Sequence, residues 1–418
     1  MSSITPTDPA PRSPLLFQPL LQSLYTHNPF YLLSAGLILY GLHVSFRPEA
    51  GQLVNPRALM IALCGYTLLL AVTACLVVRL GKVWEDARTL VLVLLLMFLA
   101  VSVSFDEIVN TSPTQGRGLL LFGLGFSTAI SETLLRCLWL RMPALFRVPY
   151  YATLALFYVF PLYVSPEVTE LPAATIDRRI LLFTVAAGAI FLGLIPAIRR
   201  GSSYARNDQT PWQWPWYPWT AFGFLALGVC LRSYGLSYSF SPARGMESTF
   251  GPYYLVPFLI VLLALLLEFG IVERIRRLQY AALCLAPGLV LLSLPGDSGS
   301  AAYRKFLKEL VDSAGSPVFF TVLGLIAFYT YGWLRGMKRS EWGLIAALLL
   351  ACVVGPRTVG LTTLAVPQWW PLAALGAVQL WLGIVRLSSA RCFAAALSLI
   401  GASSIALKET AFVAWSGA

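Results

Sequence analysis

The sequence predicts an all-α polytopic bundle of transmembrane helices with short loops and no sizeable soluble domain. Three observations lead there. Of the 418 residues, 58% are hydrophobic and only 12% charged, where a soluble domain carries roughly a quarter charged residues. The mean hydropathy is +0.73. The apolar residues are gathered into long runs punctuated by short basic stretches, the pattern that sets membrane topology. A chain of this length holds about a dozen spans of ~20 residues.

The same reading excludes several classes. A net charge of +11 would suggest nucleic acid in a soluble protein, but here the basic residues flank apolar runs. The partner implied is the lipid bilayer, and nucleic acid is excluded. The cysteines (Cys64, Cys75, Cys137, Cys230, Cys284, Cys352 and Cys392) lie in or beside apolar runs without CxxC spacing, so they read as small buried hydrophobes. His27 and His43 flank the first run, too far apart for a metal site. Neither a metal nor a cofactor is expected.

Taken in order, residues 1–28 read as a disordered and interfacial segment. MSSITPTDPAPRS is rich in Ser, Thr and Pro and carries no cleavable signal. Residues 15–25 are amphipathic but too short to cross. Apolar segments follow at 30–46, 58–78, 89–110, 118–140, 148–164, 180–198, 218–239, 250–272, 279–294, 317–334, 342–356, 368–385 and 392–410. They give about thirteen spans, within a range of about eleven to fourteen. Segments 279–294 and 342–356 are short and read as tilted, re-entrant or extended at their ends.

The chain divides into a first membrane module at 29–198, a loop and Trp-rich interfacial segment at 199–217, and a second membrane module at 218–418. The modules hold about six and about seven helices. Within the second, a helix near 300–313 places Phe306, Leu307, Leu310 and Val311 on one face among Arg304, Lys305, Lys308 and Glu309. This reads as an amphipathic helix lying on the membrane surface. In WQWPWYPW, prolines separate Trp212, Trp214, Trp216 and Trp219, so no helix runs through them. They read as an aromatic anchor at the bilayer interface, with a stacking platform for a sugar or lipid as the alternative.

Basic residues decide orientation. Loops after even-numbered segments carry seventeen Lys and Arg residues, from Arg79, Lys82 and Arg88 to Arg386 and Arg391, against ten after odd-numbered ones. This puts the N-terminus in the cytoplasm and the protein in a plasma (inner) membrane.

Candidate functional residues are the charges at or within the membrane, where they are costly. TLVLVLLLMFLAVSVSF runs without a charge up to Asp106 and Glu107. Counted from Thr89, Asp106 lies ~25 Å into a ~30 Å core. Carboxylates at a helix C-terminus face the negative end of its dipole and call for a positive partner. Arg117 is the local candidate. Arg232, in LGVCLRSYGLSY, lies ~21 Å in from Pro218, at a similar depth. The expectation is an Arg232 pair with Asp106 or Glu107, joining the halves or lining a cavity. The competing expectation places the carboxylates in headgroups and lets Arg232 snorkel.

Glu132 and Arg136, in SETLLRCLWL, stand at i and i+4 with the acid first, the favoured order for a helical ion pair. Glu132 is too short to snorkel, so it must be paired, protonated or facing water. A structural pair and a proton or substrate relay both fit. Glu268 and Glu273 read as interfacial partners of Arg274, Arg276 and Arg277.

Two strings resemble known motifs. RLGK at 79–82, in the loop after the second segment, is similar to the DRxGR[RK] loop of major facilitator transporters, which sits in the same place. The family's Asp is Val78 here, and its upstream glycine is missing. GDSG at 296–299 resembles the nucleophile loop of chymotrypsin-like proteases, but the chain has no suitably placed histidine and the match is read as chance.

Transport is the leading functional reading: a permease whose intramembrane charges line a path for a small-molecule or lipid substrate. A non-catalytic scaffold or receptor subunit is the alternative, favoured by the scarcity of polar residues. The further alternative is a membrane-embedded transferase acting on lipid-linked substrates. In span number it resembles enzymes that use polyprenyl-linked sugars, with Asp106 and Glu107 as the acid pair.

Overall fold

The computed structural model describes residues 56–82, 84–165, 173–201, 204, 216–240, 250–294, 301–313, 316–354, 369–385 and 389–416. Every regular element among them is helical. They are α1 (Pro56–Arg79), α2 (Trp84–Ser104), α3 (Asp106–Thr111), α4 (Pro113–Cys137), α5 (Ala144–Val164), α6 (Ala173–Leu192), α7 (Ile195–Arg199) and α8 (Trp219–Phe240). After a 3-10 turn at Pro252–Leu255 come α9 (Val256–Val272), α10 (Arg276–Leu285), α11 (Gly288–Ser293), α12 (Ala301–Ser313), α13 (Pro317–Leu334), α14 (Ser340–Val354), α15 (Trp370–Val385) and α16 (Ser389–Ser416).

Among the described residues, 8 stretches are long and apolar enough to cross a membrane, and shorter apolar helices lie at Ser340–Ala351, Leu372–Val385 and Arg391–Leu407. Their outer faces stay apolar. On α8, Leu225, Val229 and Leu236 are buried while Leu227 and Leu231 are exposed. Exposed leucines all along such helices find their solvent in lipid tails, which makes this an integral membrane protein.

The expected segment 30–46, residues 1–28, Trp212, Trp214 and the GDSG string lie outside the described residues. The expected span at 279–294 is two helices, because Pro287 interrupts it between α10 and α11. The broken pair still runs the length of α9. Gln279 Nε2 donates to the Gly270 carbonyl at 2.8 Å near one end, and α11 packs against the 3-10 turn at the other.

Consecutive helices pack as neighbours: α1 on α2, α4 on α5, α5 on α6, α13 on α14 and α15 on α16. Helix α8 runs through the middle, against α2, α3, α5 and α6, and α9 packs on α6 and α7. One apolar core extends from Leu63 to Leu310, and a second gathers around Leu267, Phe328 and Leu344. One end of the bundle is basic. There Arg79 reaches the Cys137 carbonyl at 3.3 Å, Phe146 packs on Trp219 at 5.3 Å, and Trp219 on Phe269 at 5.4 Å. Trp219 opens α8, while Trp216 is exposed.

Prolines organise the helix contacts. A proline leaves the carbonyl four residues earlier without its helical donor, and in lipid such a group must find another. Three neighbours answer. Ser102 Oγ donates at 2.7 Å to Phe157 O, freed by Pro161. Ser165 Oγ answers a helix end beside a proline, donating at 3.2 Å to Val109 O where α3 stops before Pro113. Tyr329 OH donates at 3.0 Å to Leu283 O, freed by Pro287. Each freed carbonyl thus becomes a tie between helices.

The amphipathic helix α12 corrects one expectation. Its apolar face does not lie on lipid but covers the bundle end opposite the basic one. Tyr303, Phe306, Leu307 and Leu310 are buried in the core, and Phe306 stacks on Tyr254 at 5.4 Å. Gly251 makes room for it, since a Cβ there would collide with the Tyr303 ring. An amphipathic pattern states that one face is apolar, not whether lipid or protein covers it.

Candidate functional site

Phe98 and Ser102 of α2 and Asp106, the first residue of α3, stand at four-residue intervals on the side facing α5 and α8. Asp106 and Arg232 are both fully buried and meet as a bidentate ion pair. Arg232 Nη1 bonds Asp106 Oδ2, and Nη2 donates to Oδ1 at 2.7 Å and to Phe157 O at 3.3 Å. Ser239 adds a hydrogen bond to the Asp106 carboxylate. The pair therefore draws α2, α5 and α8 onto one point. Arg232 Nε and Ser233 Oγ are buried there with no partner among the described residues.

Asp106 stands one residue past the end of α2, in the six-residue α3 that Phe105, itself in the right-handed helical region, joins to it. The positive partner that the dipole called for is Arg232. Glu107 follows on the same helix.

From the pair, polar groups continue toward the basic end along α4 and α5. Tyr158 OH donates to Phe98 O at 2.9 Å and shares a 2.6 Å hydrogen bond with Ser127 Oγ. Ser131 Oγ donates to Ser127 O at 2.8 Å and shares a 2.8 Å bond with Tyr150 OH. One step further, Tyr151 OH donates to Glu132, which also receives Arg147 Nε at 3.1 Å. Gly123 makes the line possible, because a Cβ there would stand 2.7 Å from Tyr158 Cε1.

Glu132 is therefore held by Arg147 and Tyr151 of the next helix, whereas the helical spacing pointed to Arg136. The exposed Arg136 instead lines an open cleft of about 730 Å³ with Glu132, Leu135, Trp139, Leu140, Arg141, Met142, Pro143 and Arg147. Leu135, Leu140 and Met142 also wall a smaller cavity of about 40 Å³ that reaches Ser131 and Tyr150.

Glu268 corrects a further expectation. It is fully buried and bonded by Arg199 Nε at 2.8 Å and Arg335 Nε at 2.9 Å, rather than by the adjacent 274–277 arginines. Both guanidiniums are partly exposed, at 49% and 34%. Removing one leaves the other on the acid. Arg335→Ala is thus expected to lower stability by under about 1 kcal/mol. Glu268→Ala removes the acceptor that Arg199, Arg335 and Tyr331 share and is expected to lower it by about 1–3 kcal/mol. Thermal unfolding of the two variants in one detergent checks the order.

The serines and tyrosines of this line, which the charges alone do not reveal, carry a sequence signal of their own: small polar residues at i and i+4 inside apolar runs, as in Ser127 and Ser131. Comparison with family models, curated proteins and solved structures found no match to this chain.

Proposed function

We propose that the chain is a carrier whose path follows the α4–α5 interface. The observation behind this reading is a set of polar groups between the Glu132 cleft and the Asp106–Arg232 pair: Tyr151 on Glu132, the hydroxyl pairs Tyr150–Ser131 and Ser127–Tyr158, and Tyr158 on the Phe98 carbonyl. Ionisable and polar groups inside membrane helices mark ion and proton pathways. Within the Ser127–Tyr158 and Ser131–Tyr150 pairs either hydroxyl can donate, and the ion pair lies beyond Tyr158. The acid pair invoked for a transferase gains no support from this geometry, since both Asp106 oxygens are engaged by Arg232.

The reading includes topology. The 8 long stretches, the three shorter apolar helices and the α10–α11 pair make twelve crossings (8 + 3 + 1); with the segment at 30–46 they make about thirteen. The basic end then faces the cytoplasm, the N-terminus is cytoplasmic, and the membrane is a plasma (inner) membrane.

Proton flux into liposomes with an acidic or alkaline lumen tests the path. Tyr158→Phe keeps the ring against Gly123 but removes the hydroxyl that joins Ser127 to Phe98. Wild type is expected to conduct, and the variant to lose about tenfold or more of the flux while unfolding near the wild-type temperature. Wild-type liposomes as tight as empty ones, or a variant that conducts like wild type, would end the carrier reading.

One observation favours a scaffold instead. The Asp106–Arg232 pair is mutually neutralised and fully buried, which ties helices together whether or not anything moves. Under that reading Tyr158→Phe alters stability alone.

A further inference from the structure

We infer that the cleft between α4 and α5 at the basic end binds the phosphate group of an anionic ligand. The argument begins with charge. Arg136, Arg141 and Arg147 line the cleft, and Glu132 is the one acid among its lining residues. Glu132 is engaged by Arg147 and Tyr151 and does not oppose an incoming anion. Guanidinium forks match phosphate oxygens in pairs and are weakly hydrated, which makes arginine the residue for this contact. Pro143, the N-cap of the 21-residue α5, is also on the wall, so the positive end of that helix dipole adds to the attraction.

The second strand of the argument is position and shape. At about 730 Å³ the cleft is of ligand size. Trp139 on its rim is 56% exposed and is covered by Arg79 at 5.5 Å, the environment indoles occupy at the headgroup layer. Its left-handed φ of 58° ends α4, with Leu140 N–H on the Leu135 carbonyl at 2.9 Å. Below the arginines, Leu135, Leu140 and Met142 give an apolar wall. A polar mouth over an apolar wall suits an amphiphile with a phosphate head. The same arginines also accept a soluble phosphate ester. The inference stands whether or not the chain carries a solute.

Native mass spectrometry of the purified protein with phosphatidylglycerol and phosphatidylcholine tests the lipid source, and titration with glycerol 3-phosphate tests the soluble one. Wild type is expected to retain phosphatidylglycerol about tenfold over phosphatidylcholine, and Arg136→Gln with Arg141→Gln to abolish the preference. If glycerol 3-phosphate binds in an arginine-dependent way and phosphatidylglycerol shows no preference, the site takes soluble phosphates. A wild type with neither preference, or a folded double variant that keeps it, overturns the inference. A photoreactive phosphatidylglycerol needs no variant. Crosslinks on the wild type between residues 135 and 147 support the site, and crosslinks confined elsewhere overturn it for lipid.

Discussion

Arg232→Ala is expected to destabilise the protein by about 3–5 kcal/mol, the cost of leaving a buried carboxylate without its partner. Asp106 is fully buried and receives both terminal nitrogens of Arg232. No water or lipid tail replaces those donors, so the variant must protonate the acid or open the bundle around it. The Phe157 carbonyl would keep Ser102, which limits damage on α5. Asp106→Leu combined with Arg232→Met should restore most of the loss, because apolar residues of similar volume replace a buried pair at little cost. A double-mutant cycle by thermal unfolding reads this directly. A strongly non-additive result, with each single variant far worse than the double, is the expected outcome. Additive losses, or an Arg232→Ala variant within about 1 kcal/mol of wild type, would mean the ions are not sealed from water.

How much of this was legible beforehand depends on which physical effect carries each feature. Membrane helices were legible because leucine-rich runs have one economical environment. Counting residues along two helices put Asp106 and Arg232 at one level, since helical rise converts sequence directly into depth. Partners that depend on how neighbouring helices meet were not legible. For Glu132 the local i, i+4 rule pointed to Arg136, yet Arg147 and Tyr151 reach it from α5. For Glu268 the nearest arginines in sequence lie just past the helix end, while Arg199 and Arg335 come from other helices. Pro161 was visible in the sequence, but that Ser102 and Arg232 would take the carbonyl it frees follows only from the packing of α2 and α8 against α5.

Phe306→Ala is the variant that separates a docked α12 from one held by lipid. Phe306 is 1% exposed and stacks on Tyr254, whose hydroxyl donates to Asp177 at 3.0 Å. Deleting such a ring from a packed interface costs about 3–5 kcal/mol, more than a short helix on the surface of a bundle is expected to withstand. The loss should therefore appear as local opening. Trypsin is expected to cut the variant after Lys305 or Lys308 while wild type resists and both unfold globally at similar temperatures. The docked state also has a pH signature. Burial pushes the Tyr303 hydroxyl from its ordinary value near 10 up to about 12. Its neutral form is thus favoured by docking, so that contribution is complete below pH 10 and is lost as pH rises toward 12. A spin label at Lys308 should report the helix leaving the bundle over that interval. If the label stays immobile and Phe306→Ala resists trypsin as wild type does, lipid rather than Tyr254 holds α12, and the surface-lying helix expected from the sequence would be restored.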